Sequence, residues 1–203
     1  QVVPKQDGAA AELSQRLPVR VEADRAAHLL VLVSRGGAAP HLLHRAHAQR
    51  HAEFAAWLLA TFGEATLQDG AGVLDVAGGG GDLAFELQCR RGVRTTLLEP
   101  REVRLDGRQR RFLRKQPPGH IGPYRHVRAL LDEGFDASAA GAALLREASV
   151  FVGLHPDEAT ELIVDAALKH GRPFAVVPCC VFPRLFPHRP CVRTTADFCD
   201  YLT

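Results

Sequence analysis

The stretch Val73-Leu-Asp-Val-Ala-Gly-Gly-Gly-Gly-Asp82 decides the fold, because it joins a short apolar segment to four consecutive glycines. Glycine adopts positive φ readily and lets a ligand approach the backbone closely. A helix is predicted to follow over residues 82–91, and the first turn of a helix offers unpaired N–H groups and the positive end of its dipole. The turn therefore predicts a site for a carboxylate, a phosphate or a ribose.

Outward from this turn, apolar segments of strand length alternate with helical segments. Strands separated by helices imply right-handed crossovers and a parallel sheet, and short, nearly all-apolar strands agree with that. The sequence thus predicts an α/β fold, a doubly wound and mostly parallel sheet of the Rossmann-like type. Its ligand site is expected beyond the carboxyl ends of the strands. Strands are predicted at 73–76, 95–98, 127–131, 150–154 and 174–177, and the later helices at 102–115, 138–147 and 157–170.

Residues 1–40 are weakly patterned and are predicted to form an N-terminal extension, with short strands at 19–21 and 29–33. A helix over 41–62 then leads into a domain spanning 41–203, whose sheet covers 73–178.

Composition limits the classes of function. The chain has 203 residues and a net charge of +2, which suits one globular domain and does not by itself imply a nucleic-acid partner. No apolar run reaches the roughly 18 residues that a membrane span needs, so no membrane partner is expected. The five cysteines are odd in number and two are adjacent, which argues against a disulfide framework. An intracellular reducing compartment fits this usage, whether cytoplasm, nucleus or organelle matrix.

Two cofactors compete for the glycine turn. Gly79-x-Gly81-x-x-Ala84 fits the loose dinucleotide pattern, and Glu99 stands at about the separation which that pattern requires. Against this reading, Asp75 lies inside the strand just before the turn. An ionised Glu99 only accepts hydrogen bonds, so it suits a ribose diol and rejects a phosphate.

Two further stretches carry a resemblance to a family. Phe151-Val-Gly-Leu-His-Pro-Asp-Glu-Ala-Thr160 follows the fourth predicted strand, and Val177-Pro-Cys-Cys-Val-Phe182 follows the fifth. With the glycine turn, they resemble class I S-adenosylmethionine-dependent methyltransferases, in the Pro-Cys-Cys subgroup that includes tRNA 2′-O-methyltransferases and uncharacterised methyltransferase-like proteins. The resemblance covers a little over half of the chain.

The resemblance implies S-adenosylmethionine as cofactor and S-adenosylhomocysteine as product. It places candidate catalytic residues at His155 and Asp157 and a substrate or pocket wall at Cys179, Cys180 and Arg101. The cysteine pair also leaves a nucleophile or a zinc ligand open, with His188 and Cys191 nearby. Adjacent cysteines are poor ligands for a structural zinc ion, so no metal is expected. The implied cofactor contacts are Asp75, Ala77, Gly78, Gly79, Gly80, Gly81, Glu99, Pro100, Asp132 and Leu154.

The sequence also departs from the family. His155-Pro-Asp157 replaces the Cys-Gly of the tRNA enzymes, and residues 183–203 show little of the two antiparallel strands that usually end the fold. RNA, either tRNA or rRNA, is the expected substrate, and segment 101–128, which holds eight arginines and one lysine, is a candidate phosphate-binding surface. A degenerate fold acting as a binding or scaffold component of a ribonucleoprotein stays open, with a possible protein partner. A nicotinamide-dependent oxidoreductase is the third alternative.

Overall fold

The computed structural model describes residues 20–24, 29–33 and 49–202, with only the backbone described in the two N-terminal segments. These residues form one seven-stranded sheet with helices on both faces. Five strands are parallel and are ordered β7-β6-β3-β4-β5. The predicted α/β class with a mostly parallel sheet is therefore confirmed, and the arrangement is compatible with a Rossmann-like fold. The parallel strands are β3 Val73–Val76, β4 Thr95–Leu98, β5 Arg125–Val127, β6 Val150–Leu154 and β7 Phe174–Val177.

Two N-terminal strands extend this sheet beyond β7. Strand β1 spans Arg20–Asp24 and strand β2 spans Leu29–Val33, and they pair antiparallel with each other. β2 also pairs antiparallel with β7. Both strands fall in the segment that the sequence analysis placed before the domain. The sheet therefore ends in two antiparallel strands that come from the N-terminal side of the chain.

The helices cover both faces of the sheet. Helix α1 lies on one face, and α6 and α7 pack on the other. Helices α1 and α2 precede β3, and α3 follows the glycine turn and continues into one π-helical turn. Their bounds are α1 Arg50–Phe62, α2 Glu64–Leu67, α3 Asp82–Phe85, the π-helical turn Glu86–Arg90, α4 Gly107–Arg114, α5 Glu133–Ala137, α6 Ala139–Glu147, the 3₁₀ turn Asp157–Ala159, α7 Thr160–Lys169 and α8 Thr195–Leu202.

Alternate residues of the central strands enter two separate cores. Val150 and Val152 of β6 pack with Trp57 of α1 on one face, whereas Phe151 packs with Ile163 of α7 on the other. All five side chains are fully or almost fully buried. Burial of one such large apolar side chain contributes about 1.5–3 kcal/mol, so coverage on both faces holds the carboxyl ends of the strands in fixed positions.

Several predicted boundaries are wrong, and capping explains the clearest case. The helix predicted from residue 102 begins at Gly107, because Asp106 and Gln109 form a reciprocal capping box that starts it there. The strand predicted at 127–131 instead spans Arg125–Val127. Residues 128–131 leave the sheet for a turn that leads to α5, a helix that the sequence analysis did not predict.

At the two ends of the described chain, the helix predicted over 41–62 is observed from Arg50 onward, while residues 41–48 lie outside the described residues. The C-terminal region forms a helix, α8, and contains no strand between residues 183 and 202, as the sequence led us to expect. Within the described residues no helix combines the length and the apolar character that crossing a membrane requires.

Candidate ligand-binding site

The glycine turn leaves the end of β3 through backbone that favours glycine. Ala77, Gly79 and Gly81 have φ values of 53°, 56° and 74°. Ala77 adopts the left-handed conformation although it is not a glycine, which costs an alanine about 1–2 kcal/mol. Such strain is typical of functional sites held in place by the surrounding structure.

The four glycines divide into two that face inward and two that face outward. A Cβ atom on Gly78 would lie 2.5 Å from Oδ2 of Asp75, and one on Gly81 would overlap the Tyr124 hydroxyl. A Cβ atom on Gly79 or Gly80 would meet no atom closer than 3.5 Å. The inner pair is therefore needed for packing, whereas the outer pair leaves the backbone open on the side that a ligand would approach.

Asp75 lies beneath the turn and is completely buried. Neither of its carboxylate oxygens accepts a well-formed hydrogen bond from a described residue. Burial raises the pKa of Asp75 to about 7, the negative charges of Glu99 and Asp82 add to this rise, and the Ala84 N–H opposes it only in part. A buried carboxyl group without partners is costly unless something pairs with it, so Asp75 marks this place as suited to a cationic or hydrogen-bonding ligand.

Glu99 follows β4, the neighbour of β3, and its carboxylate reaches the turn. Gly79 donates its backbone N–H to Oε2 at 3.1 Å, and the Arg101 guanidinium donates to Oε1 at 2.7 Å. Burial raises the pKa of Glu99, but the hydrogen bonds from Arg101 and Gly79 outweigh it and hold this pKa below its ordinary value. Glu99 is thus an ionised acceptor placed directly against the glycine turn.

A cavity of about 430 Å³ opens beside Glu99 at the carboxyl ends of the strands, which is the size of a small-molecule site. It brings together five of the predicted site residues from three strand ends. These are Ala77, Glu99, Pro100, Arg101 and Asp157. The other predicted residues do not line it: they are Asp75, Gly78, Gly79, Gly80, Gly81, Asp132, Leu154, His155, Cys179 and Cys180.

The segment after β6 forms the far wall of this cavity. His155 and Asp157 have φ values of 54° and 50°, so strained backbone borders the cavity here as well. Asp157 accepts a hydrogen bond from the thiol of Cys179, with 3.0 Å between sulfur and oxygen. Burial, together with the hydrogen bond and negative charge of Asp157, raises the pKa of Cys179 to about 12. In this arrangement Cys179 is a thiol donor rather than a nucleophile.

Asp132 has a local structural role. It is exposed and caps the N-terminus of α5 by accepting the backbone N–H of Phe135 at 2.7 Å. The preceding residues Leu130 and Leu131 line the cavity instead. The expected contact of Asp132 with an adenine amino group stays a prediction.

Sequence reasoning missed several residues of the site. Phe186 lies in an irregular segment and Leu162 belongs to the exposed side of α7, yet both line the cavity. Tyr124 precedes β5 and supports Gly81 from below. No motif signals these residues, because their places depend on how distant segments pack.

Comparison with known proteins adds no further constraint, since the chain matches no protein-family model, no curated protein and no solved structure.

Proposed function

We propose that this protein is an S-adenosylmethionine-dependent methyltransferase that acts on RNA. The observation that carries the proposal is the 3.1 Å contact between the Gly79 N–H and Glu99 Oε2. It puts an ionised, acceptor-only carboxylate next to an open glycine turn, at the ends of two neighbouring parallel strands. A carboxylate in that place favours a ribose with two free hydroxyls over a phosphorylated one.

The residues of the turn fit the remaining parts of this cofactor. The outward sides of Gly79 and Gly80 leave backbone room for the amino-acid portion. Asp75 lies buried beneath the turn, and its carboxyl group, whose pKa burial raises to about 7, is the acidic group with which a ligand ammonium would pair. When bound, the sulfonium supplies the methyl group and the driving force, so the protein mainly has to hold and align the reactants.

On the acceptor side, Asp157 is the residue suited to take a proton from a hydroxyl. It lines the cavity at the wall formed by the segment after β6. Its carboxylate is oriented by the Cys179 thiol, and a base must be held within hydrogen-bonding reach of the proton that it removes. His155 lies two residues earlier in the same strained segment and is the second candidate for this role.

The choice of RNA rests on a basic surface, the α4 basic face, formed by Arg108, Arg111 and Lys115. These side chains are exposed, recur at helical spacing and line one groove. No described residue forms an ion pair with any of the three. Arginine and lysine clusters of this kind bind phosphates.

The same helix is fastened to the cofactor turn. Gln109 of α4 donates its side-chain amide to Asp82 at 3.0 Å, and Asp82 is the first residue of the helix that follows the glycines. A polyanion bound along the α4 basic face would therefore be held by an element that is tied directly to the proposed cofactor site.

The scaffold alternative has one specific observation in its favour. Arg101 contacts both oxygens of Glu99 and so competes with a ribose for the carboxylate. The Arg101 side chain is 76% exposed while that of Glu99 is 2% exposed. An exposed guanidinium gains little from a single ion pair, so its displacement by a cofactor costs little and the enzyme remains the better-supported function.

The first test is calorimetric titration of the full chain with S-adenosylhomocysteine. Glu99→Gln keeps the shape of the side chain but removes the charge, and we expect it to weaken binding roughly 100-fold, because hydrogen bonds to a charged group contribute about 1.5–3 kcal/mol. Glu102→Gln is the matched control, since Glu102 is exposed and pairs with Arg104 among the described residues. Absence of binding to the wild-type chain would favour the scaffold, and tight binding of NADH would favour the oxidoreductase.

The second test is transfer of radiolabelled methyl groups to fractionated RNA, protein and small molecules. Label in RNA that disappears with Glu99→Gln is the expected result. Label confined to protein would overturn RNA as the acceptor while leaving the cofactor assignment intact.

A further inference from the structure

Three side chains with metal-binding atoms converge beside the cavity. One carboxylate oxygen of Asp157 and the sulfurs of Cys179 and Cys180 all lie within 4.8 Å of one another. Among the described residues, this is the group in which three such side chains come together.

The topology of the sheet produces this convergence. Asp157 follows β6 and the two cysteines follow β7, and these strands are parallel neighbours paired through Leu154 and Val177 at their carboxyl ends. The two segments therefore leave the sheet side by side. The hydrogen bond between Cys179 and Asp157, at 3.0 Å, links them directly.

The donor set selects a particular class of ion. Zn²⁺ binds thiolate sulfur at about 2.3 Å and carboxylate oxygen at about 2.0–2.2 Å, in tetrahedral geometry. In tetrahedral geometry those bond lengths separate two ligand atoms by about 3.5–3.8 Å, and the three atoms of the cluster lie within 4.8 Å of one another. Sulfur ligands disfavour Mg²⁺ and Ca²⁺, which require oxygen.

We propose that Asp157, Cys179 and Cys180 form a zinc site with three protein ligands and one open position at the wall of the cavity. Binding of Zn²⁺ replaces the thiol protons, which are released to solvent, and the Cys179–Asp157 hydrogen bond gives way to two bonds to the metal. Three protein ligands with an open fourth position are typical of a catalytic rather than a structural zinc ion.

Two other potential metal ligands of the C-terminal segment, His188 and Cys191, do not belong to this cluster. His188 contacts Glu161 at 3.3 Å, and Cys191 is exposed outside the cluster. The two adjacent cysteines alone made a poor zinc motif, and only the fold adds Asp157 to them. Because Asp157 also lines the cavity, a zinc ion held there would act as a Lewis acid on whatever occupies its open position. The site itself does not depend on the proposed methyl transfer, and binding of zinc to Asp157 would leave the role of base to His155.

The test is metal binding by the full chain without any cofactor. Protein stripped with a chelator is titrated with Zn²⁺ in competition with a chromophoric chelator, and Cd²⁺ is used to observe thiolate-to-metal charge-transfer absorption. We expect one ion per chain and a sulfur charge-transfer band. Cys180→Ser, at an exposed position, should weaken binding by more than the roughly 10–100-fold that loss of a supporting residue costs.

Matched variants keep the outcome clear. Cys191→Ser removes another exposed cysteine and should leave Zn²⁺ affinity unchanged, while Asp157→Asn should weaken it with the thiolate band retained. Circular dichroism of each variant checks folding. The proposal is overturned if the wild-type chain binds no Zn²⁺, or if Cys180→Ser and Cys191→Ser bind it equally well. Absence of S-adenosylhomocysteine binding by the wild-type chain would refute the proposed function and leave the zinc result standing.

Discussion

Asp75 gives a prediction whose size follows from its burial. The carboxyl group is fully buried, and the Ala84 N–H compensates for its burial only in part. Burial, as the largest cause, raises its pKa from the ordinary value of 3.8 to about 7. Because a pKa difference of one corresponds to about 1.36 kcal/mol, ionised Asp75 should destabilise the folded state by about 4 kcal/mol.

The direction of the pH dependence follows from the raised pKa. Below about pH 4 Asp75 is protonated in both the folded and the unfolded states, so its raised pKa does not lower the stability of the fold. As the pH rises from about 4 to about 7, Asp75 ionises in the unfolded chain while it is still protonated in the folded chain, and this ionisation favours the unfolded state. The protein should therefore lose stability between about pH 4 and pH 7, and the loss should level off above the folded-state pKa.

The measurement is urea unfolding of the wild type and Asp75→Asn at several pH values from 4 to 8. The asparagine variant cannot ionise, so the two proteins should differ little at pH 4. At pH 8 the variant should be more stable, by up to about 4 kcal/mol. Asp69→Asn, at an exposed position, is the control and should show no such trend. A difference between wild type and Asp75→Asn that does not vary with pH would refute the reasoning.

Three further predictions test the turn and the α4 basic face. Gly81 has a φ of 74°, and the Cβ atom added by Gly81→Ala would overlap the Tyr124 hydroxyl. We expect the free energy of unfolding, measured in urea, to fall by at least about 2 kcal/mol. An unchanged unfolding midpoint would contradict this packing. The Cβ atom added by Gly80→Ala would meet no atom nearer than 3.5 Å, so the stability of the fold should be unchanged while S-adenosylhomocysteine binding weakens. Unaltered affinity would argue against a ligand at the outer side of the turn. Replacement of Arg108, Arg111 and Lys115 together by alanine should make the slope of log RNA affinity against log salt concentration less steep by about 2–3. Arg146→Ala on α6 is the exposed control and should leave the slope unchanged. Equal slopes for the wild type and both variants would show that the α4 basic face does not bind RNA.

The sequence alone determined the parallel sheet and the glycine turn. Four of the five parallel strands have the predicted bounds, because each is a short apolar run buried on both faces and ended by turn residues. Asp75 and Glu99 were recognisable for the same local reason, since each stands at a fixed distance from the glycines along the chain.

Only the tertiary structure decided which residues meet. The pairing of β2 with β7, the support of Gly81 by Tyr124 and the meeting of Asp157 with Cys179 join segments that are far apart in sequence. The start of α4 at Gly107 is instead a local feature that the arginine-rich pattern did not indicate, because Asp106 and Gln109 form the capping box within one turn. Local periodicity reports the burial of one segment at a time, whereas contacts between distant segments depend on the packing of the whole sheet and its two cores.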